Sequence, residues 1–226
     1  MNYEIKGGTL PYLVVKLEAG ERVSCEAGAM SWMDPNITME TEGGGVGKVV
    51  GRLFTGENLF LNHYTAQSAG EIAFATTFPG TILAVRVTPE KPIVIQKGAF
   101  LATVGNVDSK VFFQKKIGVG FFGGEGFIMT QLFGDGVAFI EIDGATEEFE
   151  LAAGQQKIVD TGYLAMMDGT CSIDIVTVKG VKNVLLGGEG LFNTVITGPG
   201  RVVLQTMPKA KVITEIRTVA PASSAN

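Results

Sequence analysis

One short motif occurs three times at nearly constant spacing, and that recurrence limits what this chain can fold into. Gly56-Glu57-Asn58-Leu59-Phe60 returns as Gly124-Glu125-Gly126-Phe127-Ile128 and again as Gly188-Glu189-Gly190-Leu191-Phe192, at offsets of 68 and 64 residues. A second motif keeps the register: Gly28-Ala29-Met30, Gly98-Ala99-Phe100-Leu101 and Gly162-Tyr163-Leu164, offset by 70 and 64. Leu17-Glu18-Ala19-Gly20-Glu21 is echoed by Leu151-Ala152-Ala153-Gly154-Gln155. Each Gly-Glu run is followed by a further turn, at Gly70-Glu71, Gly134-Asp135-Gly136 and Gly198-Pro199-Gly200. Self-similarity at a fixed period signals repeated structural units. A unit of about 65 residues has room for a core of its own, which favours a closed body over a linear solenoid. The expectation is one compact domain over residues 1–218, built of three repeats (about 1–88, 89–148 and 149–218). Residues 219–226, small and polar, are expected to form a flexible tail. Closure around a pseudo-threefold axis leaves few exposed strand edges.

Each unit reads as β structure. Apolar and polar residues alternate in Phe139-Ile140-Glu141-Ile142 and in Ile173-Asp174-Ile175 followed by Val176-Thr177-Val178. The runs Glu71 to Ala75, Thr81 to Val87, Pro92 to Ile95 and Arg201 to Gln205 are rich in β-branched or aromatic residues. Gly, Pro, Asn or Asp interrupts these runs about every eight to twelve residues, the pattern of an all-β sandwich or barrel. Helical spacing occurs only in Val46, Val49, Val50, Leu53 and Phe54 and, more briefly, in Val181, Val184 and Leu185. Gly47 and Gly51 weaken the first, so helices are expected to be few or short.

Composition excludes several function classes. The 226 residues include 31 Gly without Pro enrichment or a three-residue period, which excludes collagen and linker-type disorder. A formal charge of −5 disfavours nucleic acid, which needs clustered cations. A single histidine rules out a multi-His metal site within one chain. Cys25 and Cys171 form no CxxC pair and read as part-buried free thiols of a reducing compartment. The first residues lack a signal-peptide pattern, and no apolar run approaches the roughly 18 residues of a spanning helix. The expected location is cytoplasmic.

No motif for chemistry survives inspection. Gly118-Val119-Gly120-Phe121-Phe122-Gly123 fits the spacing of a dinucleotide fingerprint, but a β-type run follows where a helix N-terminus is needed. Gly43-Gly44-Gly45-Val46-Gly47-Lys48 fails as a phosphate loop: Glu42 occupies the first glycine position and Val49 the magnesium-binding one. His63 has no nucleophile motif to serve and reads as an exposed or hydrogen-bonded strand residue. No catalytic residue, metal or cofactor is assigned. Glu57, Glu125 and Glu189 occupy equivalent places, so pseudosymmetry can gather them around a hard cation or a shared proton. The structural reading, in which each carboxylate accepts hydrogen bonds from its own glycine-turn amides, is preferred.

Three segments just before the Gly-Glu motifs mix cations with apolar residues. Lys48, Arg52 and Phe54 mark the first. Phe112, Phe113, Lys115, Lys116, Phe121 and Phe122 mark the second, with Lys110 nearby. Lys179 and Lys182 mark the third. Such a surface suits a membrane interface or another subunit. Equally, the apolar residues can cover their own barrel ends while the lysine stems lie along them.

The motif set resembles the family named for altered inheritance of mitochondria, through Thr55 to Asn62, Gln96 to Ala102, Val159 to Gly162, Leu186 to Leu191 and Gly198 to Thr206. The resemblance implies a threefold-duplicated, double-stranded β-helix-like fold, similar to that of the tryptophan RNA-binding attenuation protein, and no established enzyme activity. Fungal members are associated with the mitochondrial inner membrane and its cristae-organising machinery. The N-terminus carries no transit-type segment, so that location is not transferred. The expected function is a non-enzymatic scaffold or interaction protein, a homo-oligomer or a protein-partner binder with peripheral membrane contact. A small-molecule-binding or enzymatic β-helix protein and an RNA-binding protein are the alternatives.

Overall fold

The computed structural model describes residues 2–41, 62–115, 126–177 and 192–219. The first third contains β1 (Asn2–Lys6), β2 (Tyr12–Leu17), β3 (Arg22–Cys25), β4 (Met30–Met33), β5 (Ile37–Thr41), β6 (Asn62–Ala66) and β7 (Gly70–Ala75). The middle third has β8 (Gly80–Val87), β9 (Ile93–Gln96), a 3-10 turn (Lys97–Ala99), β10 (Phe100–Lys115) and β11 (Phe127–Asp143). The last has β12 (Thr146–Leu151), β13 (Gln156–Asp160), a 3-10 turn (Thr161–Tyr163), β14 (Leu164–Asp168), β15 (Ser172–Thr177), β16 (Phe192–Thr197), β17 (Gly200–Gln205) and helix α1 (Lys209–Val219). The fold is therefore mostly β, in three sheets. Every run that alternation or β-branched content marked in the sequence lies in a strand, apart from Pro92 just before β9 and Val178, which is outside the described residues.

One antiparallel pairing scheme recurs along the chain. β7 lies between β2 and β4, while β6 lies between β3 and β5. β17 likewise lies between β12 and β14, and β16 between β13 and β15. In the middle third the counterparts of β4 and β5 are fused into β10, and those of β6 and β7 into β11. The C-terminal half of β11 pairs with β8 and its N-terminal half with β9, while β10 runs along both. A bulge sits at the same point each time, between Met30 and Trp32, Phe100 and Ala102, and Leu164 and Met166. An extra residue there redirects the alternation of the strand that follows.

Two ladders join the thirds. β3 pairs with β10 through Val23↔Val104, Ser24↔Thr103 and Cys25↔Ala102. β9 pairs with β14 through Ile93↔Asp168, Val94↔Met167 and Ile95↔Met166. Among the described residues no ladder joins the last third to the first, so the closed ring expected from the repeats is not completed by strand pairing. β4 and β13 are left as sheet edges.

The junction strands serve two cores at once. Ile95 and Met166 belong to the middle cluster with Phe100, Leu132 and Ile140. Their neighbours Val94 and Met167 point the other way, into the last cluster with Phe127, Leu164 and Ile196. Likewise Phe139 packs with the first cluster, around Leu13, Tyr64 and Phe74, while Ile140 and Ile142 pack with the middle one. Alternation along β11 therefore sorts residues between cores rather than between core and water, which is why Glu141 is buried.

Helix α1 is the element the β-type reading missed. The Pro208 carbonyl accepts the amides of Lys211 and Val212, and Pro in the first turn has no amide to leave unpaired. The two short stretches with helical spacing, Val46 to Phe54 and Val181 to Leu185, lie outside the described residues.

The long strands bring glycines together midway along the ladder, at Gly105↔Gly136 and Val107↔Gly134. Gly134 has φ of 113°, and a Cβ there would sit 2.2 Å from the Asn106 carbonyl oxygen. Gly134→Ala is expected to cost at least about 2 kcal/mol, measured as a lowered urea midpoint with unchanged slope.

Candidate interaction surface

The lysine-bearing segments occupy the same place in each third. They connect β5 to β6, β10 to β11 and β15 to β16, hairpins whose last described pairs are Thr41↔Asn62, Lys115↔Phe127 and Thr177↔Phe192. Of the candidate contact residues, Phe112, Phe113 and Lys115 are described. Lys48, Arg52, Phe54, Lys116, Phe121, Phe122, Lys179 and Lys182 lie outside the described residues. So do the carboxylates Glu57, Glu125 and Glu189 and the two glycine-rich lookalikes at 43–48 and 118–123.

Phe112 and Phe113 are half-buried and pack on the last core cluster. The Phe113 ring meets that of Phe127 edge-on, 6.4 Å between centroids. These rings thus pack against a core. Lys115 is exposed along its stem, and its Nζ donates to the Ile175 carbonyl at 2.9 Å. Ile175 lies in β15, so one lysine holds the bases of the second and third hairpins together. Lys110 lies over the Phe133 ring at 5.3 Å.

His63 is buried in β6, its Nδ1 2.7 Å from Ser24 Oγ across the ladder to β3. It is the hydrogen-bonded strand histidine of the sequence reading, not an exposed one. Cys25 and Cys171 are both free and buried. Loss of solvation pushes the Cys25 thiol up to about 12 and the Cys171 thiol up to about 11, so neither supplies a thiolate near neutral pH. Among the described residues no group of His, Cys, Asp and Glu is placed to hold a metal ion. No described helix is long and apolar enough to cross a membrane.

The sequence reading overlooked one ionic cluster. Lys209, at the start of α1, reaches Glu141 Oε1 at 3.0 Å and Asp143 Oδ1 at 3.9 Å. Both carboxylates are buried. Thr77 N donates to Glu141 Oε1, and Asp143 N donates to Gln205 Oε1. The cluster pins the helix across β11. Nothing in local spacing announces it, because Lys209 lies far along the chain from both acids.

These features define a mostly-β protein of sheets that share core walls, with a lysine-bearing segment joining the strands of each of three hairpins. The chain belongs to the family described as Mitochondrial biogenesis AIM24, which matches residues 3–207. It is 30% identical over 224 residues to an uncharacterised protein of Streptococcus pyogenes serotype M6, covering 95% of this chain and 88% of that protein. Its fold is similar to the crystal structure of a Streptococcus pyogenes protein, with a TM-score of 0.81 and 24% identity over 97% of this chain and 99% of the other.

Burial pushes Asp143 up to about 6, further helped by the Glu141 charge and opposed by Lys209. Folding therefore favours the protonated carboxyl. That contribution is complete below the ordinary carboxylate value and is lost as pH rises through about 6. Asp143→Asn is expected to be the more stable protein above pH 7, by on the order of 2 kcal/mol, and the gap should close as pH falls toward 4. Urea midpoints for both proteins across that range test it.

Proposed function

We propose that this protein is a non-enzymatic, self-associating scaffold. It is built of three double-stranded β-helix-like units in pseudo-threefold repetition, as in the tryptophan RNA-binding attenuation protein, and its hairpin segments supply docking surface. The observation that carries this reading is positional. Three segments mixing cations with apolar residues are inserted at one and the same point of a recurring pairing scheme. A repeated core that delivers three similar segments is organised to present them together. The described core clusters are apolar, and some of the buried polar groups have local structural work: His63 meets Ser24 between β6 and β3, and Glu141 and Asp143 meet Lys209 at the start of α1.

Native mass spectrometry of the full chain is the test, with the Lys115→Glu/Lys116→Glu protein alongside. A discrete oligomer is expected for the unaltered chain, with at least a tenfold weakening in the charge-reversed protein. Melting curves establish that the altered chain still folds without the Lys115–Ile175 hydrogen bond. A monomer at every concentration of the unaltered chain would overturn the reading.

A further inference from the structure

The two formed junctions follow one rule, and the same rule assigns partners to β4 and β13, two of the strands that end a sheet. Numbered from the bulged strand that follows each 3-10 or equivalent turn, the third, fourth and fifth residues pair with a strand of the preceding third. In the first junction these are Ala102, Thr103 and Val104 against Cys25, Ser24 and Val23. In the second they are Met166, Met167 and Asp168 against Ile95, Val94 and Ile93. The corresponding residues of β4 and its end are Trp32, Met33 and Asp34, and those of β13 are Val159, Ile158 and Lys157. Applying the register gives Trp32↔Val159, Met33↔Ile158 and Asp34↔Lys157.

We propose that β4 of one copy of this chain and β13 of a second copy form this third junction, joining chains head to tail. The proposal rests on the self-association reading above and names its surface. Directly opposed residues share a face of the sheet, and the burial of these strands fits that sharing. Val159 is buried in the last core cluster, and Trp32, 49% exposed, would be laid beside it. The counterparts of Trp32, Ala102 and Met166, are fully buried by their junctions. Met33 packs on the first core cluster, and Ile158, 64% exposed, would be brought against it. Its counterpart Val94 is fully buried, and Ser24 is half-buried. The large apolar side chains left in water on these two strands are thus the ones that a junction of this type covers.

Local geometry and charge agree. Asp34 Oδ2 accepts the Glu71 amide at 2.8 Å, just as Asp168 Oδ2 accepts the Arg201 amide at 3.0 Å beside a formed junction. β4 is therefore already shaped as a junction strand. The third pair sets a lysine opposite an aspartate, which favours this register over its shifted alternatives. β4 itself carries none of the charges or prolines that guard a solvent-facing edge. An interface between two different surfaces repeats from copy to copy, so it closes into a ring or extends as a filament.

Mixing two singly blocked chains tests this. Trp32→Lys and Ile158→Lys each place a charge at an edge position, and melting curves establish that the first still folds without the Trp32–Tyr12 ring contact. Each variant alone is expected to run as a monomer in native mass spectrometry, with association at least tenfold weaker than in the unaltered chain. An equimolar mixture still holds one intact β4 and one intact β13, so it is expected to give a heterodimer and nothing larger. Variants that keep the unaltered oligomer would overturn this junction and leave self-association through another surface standing. A mixture that yields no heterodimer would also overturn it. A monomeric unaltered chain would remove both this junction and the scaffold reading.

Discussion

The structure depends on strands whose successive residues belong to different cores. Ile95 and Val94 are neighbours in sequence, yet one packs in the middle cluster and the other in the last. Met166 and Met167 repeat the division from the facing strand. A wall shared in this way is buried on both faces, so it gains roughly twice the apolar burial of a one-sided strand, at about 1.5–3 kcal/mol for each large side chain. It also makes each third incomplete by itself. The last core needs Val94, Phe127 and Met129 from the middle third, and the first core needs Leu101, Val104 and Phe139. Cooperativity across the chain follows from that exchange of side chains.

Interior and periphery are consequently under different constraints. The ladders leave no freedom of register, whereas the connections between the hairpin strands differ in length from one third to the next. The ionic clamp of Lys209 on Glu141 and Asp143 belongs to the interior set. It holds α1 across β11 with charges that burial would otherwise penalise. The thiols of Cys25 and Cys171 serve as small apolar groups under the same regime.

Much of this was legible in the sequence because it is local. The second glycine motif marked the turns before β4, β10 and β14, alternation marked β15, and β-branched or aromatic content marked β7, β8, β9 and β17. What remained hidden was non-local. Phe139-Ile140-Glu141-Ile142 reads like a strand with a wet face, and only the presence of a second core makes that face dry. Phe112 and Phe113 left docking surface and barrel cover equally open in the sequence, and only the last core shows what they pack on. Trp32 and Ile158 attracted no notice, since neither is unusual within its own strand; their importance comes from the residues that fill the same places elsewhere. Helix α1 escaped because its stabilisation includes a salt link to acids more than sixty residues earlier.

The two-core walls also bear on how such a chain can change over evolutionary time. A single-residue insertion in β9 or β14 would exchange the inward and outward sets along the rest of the strand, damaging two cores in one event. The same insertion between β5 and β6 or between β15 and β16 falls outside every ladder of the described residues. Length variation among descendants of this chain should therefore gather in the connecting segments. The walls should keep their residue count even where their side chains drift.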